Sequence, residues 1–77
     1  MANYNLSIVN GHFKSVADLK ADDENRAWQE AIKAAVQIGA DQVSHGNPFF
    51  GAEVSLKEGE RLVGRYVVSV GAVPLKD

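Results

Sequence analysis

The sequence predicts a two-layer α+β domain, in which one helix packs on one face of a mostly antiparallel sheet of about four strands in the order ββαββ. Three observations predict it. Apolar residues recur at helical spacing between residues 23 and 38, and the segments on both sides alternate between apolar and polar residues. Turn residues, Asn10-Gly11 and Glu58-Gly59, separate the alternating segments. With 77 residues the chain has room for a single small domain, residues 1–77.

The first two strands are predicted from alternation and from one turn. Residues 4–9 place Tyr4, Leu6 and Ile8 on one face, which is typical of a half-buried strand. Asn10-Gly11 follows and predicts a type I′ hairpin, because both residues tolerate positive φ. The second strand is expected over residues 12–17, and its weaker alternation favours a short strand or an edge strand.

The helix is predicted from about Asp23 to Ile38. Asp22 or Asp23 is expected to cap its first turn, and Gly39 is expected to follow its end as the C′ residue. The spacing i, i+3, i+4, i+7, i+8 predicts one buried stripe. That stripe consists of Trp28, Ala31, Ile32, Ala35 and Val36.

The last two strands are predicted over residues 50–57 and 60–73. A two-residue turn at Glu58-Gly59 would mix apolar and polar faces, whereas a three-residue loop with Gly59 in a left-handed bulge keeps one face apolar. The bulged loop pairs Val54 with Leu62 and Phe50 with Tyr66. The expected core anchors are Trp28, Ile32, Val36, Val54, Leu62 and Tyr66.

Composition excludes several classes of partner. Eight basic residues are scattered among ten acidic ones, and the net charge is −2, so no nucleic-acid partner is expected. No apolar run approaches the roughly 20 residues that span a bilayer, and no signal peptide is visible, so the expected location is cytoplasmic without a membrane partner. Without cysteines to staple so short a chain, we expect oligomerisation, as a homodimer or with another protein.

The loop over residues 45–51 is the best candidate for a site. It combines glycines, a proline, two aromatic rings and a titratable side chain, a mixture found in binding loops. Its candidate ligand-binding or partner-binding residues are His45, Asn47, Phe49 and Phe50. The alternative interpretation is that the proline orders the entry to the next strand while one phenylalanine fills the core.

No catalytic or metal site is predicted. Neither His12 nor His45 has neighbours with metal-ligand spacing, so no metal and no cofactor are expected. No nucleophile, base and orienting group can be assembled, so the chain is predicted not to be an enzyme. The predicted function is a homo-oligomeric protein-interaction or structural module. The alternative is a protein that binds a small aromatic ligand or a flavin, with Trp28, Phe49, Phe50 and Tyr66 around a pocket at the loop.

Three resemblances bear on the fold. Residues 4–11, 27–36 and 53–70 are similar to a family of small uncharacterised bacterial proteins with a Tyr-rich strand, an Asn/Asp-Gly turn, an alanine-rich helix and a closing hairpin. This resemblance implies the fold and no activity. Residues 65–71 resemble the last strand of dodecins, which are flavin-binding oligomers, although dodecins carry the stacking Trp on a strand and Trp28 is predicted on the helix. The order from hairpin to helix is also similar to antitoxins of the degraded ribonuclease-H type, whose Pro- and Gly-containing strand motif is absent here.

Overall fold

The computed structural model describes residues 2–75 and contains four strands and one helix in that part of the chain. The strands form one antiparallel sheet in the order β2-β1-β3-β4, and the helix packs mainly over β3 and β4. The two-layer ββαββ prediction is confirmed, and β2 lies at a sheet edge. The elements are β1 (Ala2–Val9), β2 (Lys14–Ala21), α1 (Glu24–Ser44), β3 (Phe49–Glu58) and β4 (Arg61–Gly71).

The connection between β1 and β2 differs from the prediction. Val9 pairs with Lys14, so four residues form the connection, where the type I′ hairpin would have two. The Asn10 side chain organises it, because its Oδ1 accepts hydrogen bonds from the backbone N–H groups of His12 at 2.8 Å and Phe13 at 3.1 Å. Within residues 2–75, positive φ occurs at Gly46 and Gly59 and not at Gly11. Because the connection is longer than predicted, β2 begins later in the sequence, at Lys14, and it continues to Ala21.

The start of α1 is confirmed, and its predicted end is wrong. Asp23 is the N-cap, and its side chain accepts a hydrogen bond from the Arg26 N–H at 2.8 Å. The helix continues past Gly39 to Ser44 and ends before Gly46, which has φ 106°. Gly39 therefore lies inside the helix and does not reverse the chain.

Gly39 has a packing role instead. A Cβ at this position would lie 2.7 Å from Val70 Cγ2 and 2.8 Å from Phe50 Cδ2, so the bare backbone lets the helix touch the sheet. The same close approach extends along one side of the helix at i, i+4 spacing. This small-residue ridge consists of Ala27, Ala31, Ala35 and Gly39, all buried.

The predicted helix stripe is displaced by one position. The small-residue ridge faces the sheet, and the next residues along the helix form a second ridge, Trp28, Ile32 and Val36. The contact of Trp28 with Tyr66 puts this ridge on the β4 side. Within this Trp28 ridge, Trp28 and Ile32 are half-buried, while Val36 is 42% exposed and is not a core anchor. The Trp28 ring packs against the Tyr66 ring with centroids 4.2 Å apart.

The register of the last hairpin corrects the prediction. Val54 pairs with Tyr66, and Glu58 pairs with Arg61 across a two-residue turn, so the three-residue loop is wrong. The bulge lies within β4 at Val63, opposite Leu56/Lys57. It shifts the rest of β4 by one residue, so that apolar side chains of β3 and β4 share one face of the sheet, which a two-residue turn without a bulge would not allow. Gly59 has φ 62°, so its predicted left-handed conformation is confirmed.

This register changes which side chains form the core. Val54 is fully buried, as predicted for a core anchor, but Leu62 is 48% exposed and Tyr66 is 46% exposed. Leu62 pairs with Lys57 and so lies on the outer face of the sheet, away from α1. Tyr66 faces α1 from the edge strand, where Trp28 is its aromatic contact. The predicted core positions of Leu62 and Tyr66 are therefore wrong.

An ion pair cluster joins the helix start to the last hairpin. One guanidinium nitrogen of Arg61 donates to Glu24 Oε1 at 2.7 Å and to Glu58 Oε1 at 2.6 Å. Hydrogen bonds to Glu58 and then Glu24 raise the pKa of Arg61 above its usual value. Because these side chains are exposed to solvent, water screens both ion pairs and each contributes little to stability.

Substituting Gly39 tests the close helix–sheet contact. In an ordinary helix interior, Gly→Ala stabilises by about 0.5–1 kcal/mol. Here we expect Gly39→Ala to lower the free energy of unfolding by about 1–3 kcal/mol, because the new methyl group overpacks Val70 and the buried Phe50 ring. Urea unfolding followed by circular dichroism measures the change. The control is Ala40→Gly at the exposed neighbour, which should lose only the propensity of about 0.5–1 kcal/mol. A stabilised Gly39→Ala would contradict the packing.

Candidate functional site

An open cleft of about 490 Å³ lies at one end of the sheet. The β1–β2 connection, the last turn of α1 and the start of β3 border it. We call it the end cleft. Its lining residues are Asn10, Gly11, His12, Phe13, Gln42, Asn47, Phe49, Phe50 and Gly51.

The end cleft brings together most of the residues predicted from the 45–51 loop. Asn47, Phe49 and Phe50 line it, and Asn47 Nδ2 donates to Gln42 Oε1 at 2.9 Å. His45 is not among the lining residues. It is the C-cap of α1, and its Nδ1 lies 2.7 Å from the backbone oxygen of Asp41.

The two adjacent phenylalanines have different environments. Phe50 is 3% exposed and its ring stacks with that of Phe13, with centroids 6.0 Å apart. Phe49 is 66% exposed on the outer face, where its ring lies 3.1 Å from the position that a Cβ of Gly51 would occupy. One phenylalanine of the loop therefore fills the core, as the alternative interpretation predicts, and the other is exposed; binding by the loop stays a prediction.

Sequence reasoning missed the contribution of the first hairpin to this cleft. The sequence assigns no binding role to His12 or Phe13, yet both line the cleft, and the His12 side chain is exposed there. The available signal was Asn10, since Asn side chains commonly bond to backbone N–H groups two and three residues later. An Asx turn makes the connection long enough to reach the start of β3.

The chemistry of the end cleft is stacking and hydrogen bonding. Its lining offers phenylalanine rings, side-chain amides and one imidazole, and none of the nine lining residues is acidic, lysine or arginine. Over residues 2–75, no three His, Cys, Asp or Glu side chains are grouped to hold a metal ion. In the same residues, no helix is long and apolar enough to cross a membrane.

At each edge of the sheet, one hydrogen bond shows which residues of the edge strand turn their backbone groups outward. Ala72 N–H donates to the Pro48 oxygen at 2.8 Å, which continues the β3–β4 register as a hydrogen-bonded pair. Because such pairs alternate along an antiparallel ladder, every second residue of β4 turns its backbone N–H and C=O away from β3. These outward residues, which define the β4 edge, are Arg65, Val67, Ser69 and Gly71.

The opposite edge follows in the same way. Asn10 N–H donates to the Phe13 oxygen at 3.1 Å, which continues the β1–β2 register. The outward residues of β2, which define the β2 edge, are Lys14, Val16, Asp18 and Lys20. Charged side chains, especially lysine, discourage pairing at an exposed edge. The β2 edge is protected in this manner at three of its four positions.

The β4 edge lacks that protection. Arg65 is its one charged residue, and Val67 is 78% exposed. On the helix side, the half-buried Trp28 lies at this edge through its contact with Tyr66. The helix period puts the half-buried Ile32 and the exposed Val36 on the same side of α1. Unpaired backbone groups and adjoining apolar surface are the features by which a strand pairs with another chain.

Comparison with known proteins identified no relative: no family model matches the chain, and neither the curated proteins nor the solved structures gave a match. The resemblances to the small bacterial family, dodecins and antitoxins stay predictions.

Removing the Asn10 side chain tests what holds the cleft wall. Asn10→Ala loses the acceptor for two backbone N–H groups, and we expect the free energy of unfolding to fall by about 1 kcal/mol. Amide hydrogen exchange at His12 and Phe13 should accelerate. Asn10→Asp keeps Oδ1 and serves as the control, with exchange close to that of the original chain. Unchanged exchange in Asn10→Ala would show that the backbone alone sets the connection.

Proposed function

We propose that this chain is a homodimeric protein-interaction module, in which the β4 edges of two copies pair antiparallel and extend the sheet across both. The observation that carries the proposal is the unprotected β4 edge, with its outward backbone groups and the exposed Val67. A chain of 77 residues without cysteines gains from association, because its own core is small.

The position of α1 supports this arrangement. The helix lies over both β3 and β4. If two β4 strands pair, the two helices are separated by two strand spacings, about 10 Å, which is near the usual distance between packed helix axes. The Trp28 ridges of the two copies then face each other above the paired strands. This contact covers the apolar surface of Ile32 and Val36 that the single copy leaves open.

Pairing of β4 with its own copy is favoured over pairing with β2. A β4–β2 contact is head-to-tail, and such contacts form rings or open filaments. The charges of Lys14, Asp18 and Lys20 discourage it. A β4–β4 contact closes on itself as a twofold dimer. The absence of enzymatic activity and the cytoplasmic location stay predictions that accompany this proposal.

Proline scanning at the two edges tests the dimer. Val67→Pro removes an outward N–H and leaves the β3–β4 ladder intact, so the variant should fold and dimerise more weakly. Two lost hydrogen bonds per dimer predict a dissociation constant about tenfold higher or more. Sedimentation equilibrium measures the constant, and circular dichroism checks folding.

Val16→Pro is the matched control, since Val16 is an exposed outward residue of the β2 edge. It should leave the dissociation constant unchanged. A monomeric original chain at high concentration, or equal weakening by both proline variants, would overturn the proposal.

A second candidate function is binding of a flat, neutral aromatic molecule, flavin included, in the end cleft. The stacked rings of Phe13 and Phe50, the exposed Phe49 and the amides of Gln42 and Asn47 support it. Aromatic lining with a few polar groups is typical of small-molecule sites.

Titration with riboflavin and with indole tests this second candidate by amide chemical shifts in a labelled sample. Shift changes should concentrate at His12, Asn47 and Gly51, and Phe49→Ala should weaken binding about fivefold through lost stacking. Val16→Ala, on an exposed site away from the cleft, is the control. Saturable shifts elsewhere, or none at millimolar probe, would exclude the cleft as a site for these ligands.

A further inference from the structure

We propose that the dimer axis passes through Val68, and that Arg65 of the partner subunit then crosses over Gly71 onto the ring of Phe49. This inference rests on the proposed dimer and specifies its register. It makes the exposed Phe49 part of the interface between copies.

The backbone selects this register among the possible ones. With the axis at Val68, Arg65 pairs with Gly71 of the partner subunit and Val67 pairs with Ser69 of the partner subunit. All outward residues of both β4 edges are then hydrogen-bonded. An axis at Val67 leaves Gly71 opposite the bulge at Val63 and therefore unpaired. An alignment that pairs all of these backbone N–H and C=O groups is favoured over one that leaves some of them unpaired.

The side chains on the outer face support the same alignment. Phe49 pairs with Gly71 in the β3–β4 ladder, and the Phe49 ring lies 3.6 Å from the position that a Cβ of Gly71 would occupy. The row across the interface is therefore Phe49, Gly71 and then Arg65 of the partner subunit. Glycine in the middle leaves no side chain between the ring and the guanidinium group, and arginine over an aromatic face is a favourable contact.

Arg65 can exchange an exposed ion pair of the single copy for this contact. In the single copy its Nη1 lies 3.3 Å from Glu53 Oε1, and both side chains are more than half exposed. Such a pair contributes little, so exchanging it for the Phe49 ring of the other copy has a small cost. The register also keeps the two Arg65 side chains of the dimer apart, since each lies opposite a glycine.

Single-cysteine variants test the register, because the chain has no cysteine of its own. Val68 would lie directly opposite its own copy in a non-hydrogen-bonded pair, where Cβ atoms are about 4.5–5.5 Å apart, near the separation in disulfides. Val68→Cys should therefore form a covalent dimer on mild oxidation with diamide, and Val67→Cys should not. Cross-linking of Val67→Cys in place of Val68→Cys would overturn this register and leave the β4 dimer intact.

A double-mutant cycle tests the Arg65–Phe49 contact without any buried substitution. Arg65→Ala and Phe49→Ala should each raise the dimer dissociation constant, and the double variant should raise it by clearly less than the product of the two. Arg61→Ala is the control of equal charge, and its effect should multiply with that of Phe49→Ala. Independent effects of Arg65→Ala and Phe49→Ala would overturn the contact. A monomeric original chain would instead overturn the proposed function itself.

Discussion

The close contact between α1 and the sheet determines most of this structure. The ridge Ala27, Ala31, Ala35 and Gly39 carries almost no side chain, so the helix lies near the strands and Phe50 reaches its backbone. Packing at this distance brings the helix backbone into direct contact with side chains of the sheet. It also fixes the helix over β3 and β4, and the sheet half formed by β1 and β2 receives less cover.

The exposed apolar surface at the β4 edge and the end cleft both follow from this placement of α1. Because the small-residue ridge takes the position facing the sheet, the bulkier Trp28 ridge is turned towards the β4 edge and Val36 remains exposed. Because α1 continues past Gly39, its last turn brings Gln42 to the end of the sheet, where Asn47 bonds to it and the end cleft begins. A helix that ended at Gly39 would leave this cleft without its upper wall.

The sequence was sufficient for the element types, their order, the capping of α1 by one of two aspartates and the conformation of Gly59, since each depends on local chemistry. The predicted register of β4 was wrong by four residues, because apolar side chains occur at both odd and even positions between Leu62 and Val70, and alternation alone cannot choose a face.

Gly39 was misassigned because a glycine that permits close packing has the same sequence signal as one that ends a helix. Asn47, Phe49 and Phe50 followed from the composition of their loop, whereas His12 and Phe13 required the length of the first connection.

Trp28 is the only tryptophan of the chain, and it lies between the buried core and the β4 edge. Its half-buried indole is thus an intrinsic fluorophore at the boundary where a second chain would exclude water. Emission from this one residue reports the polarity of that boundary directly, and no introduced dye would disturb so small a fold. Trp28, which joins the helix to the sheet, therefore also provides an optical signal when another chain covers this boundary.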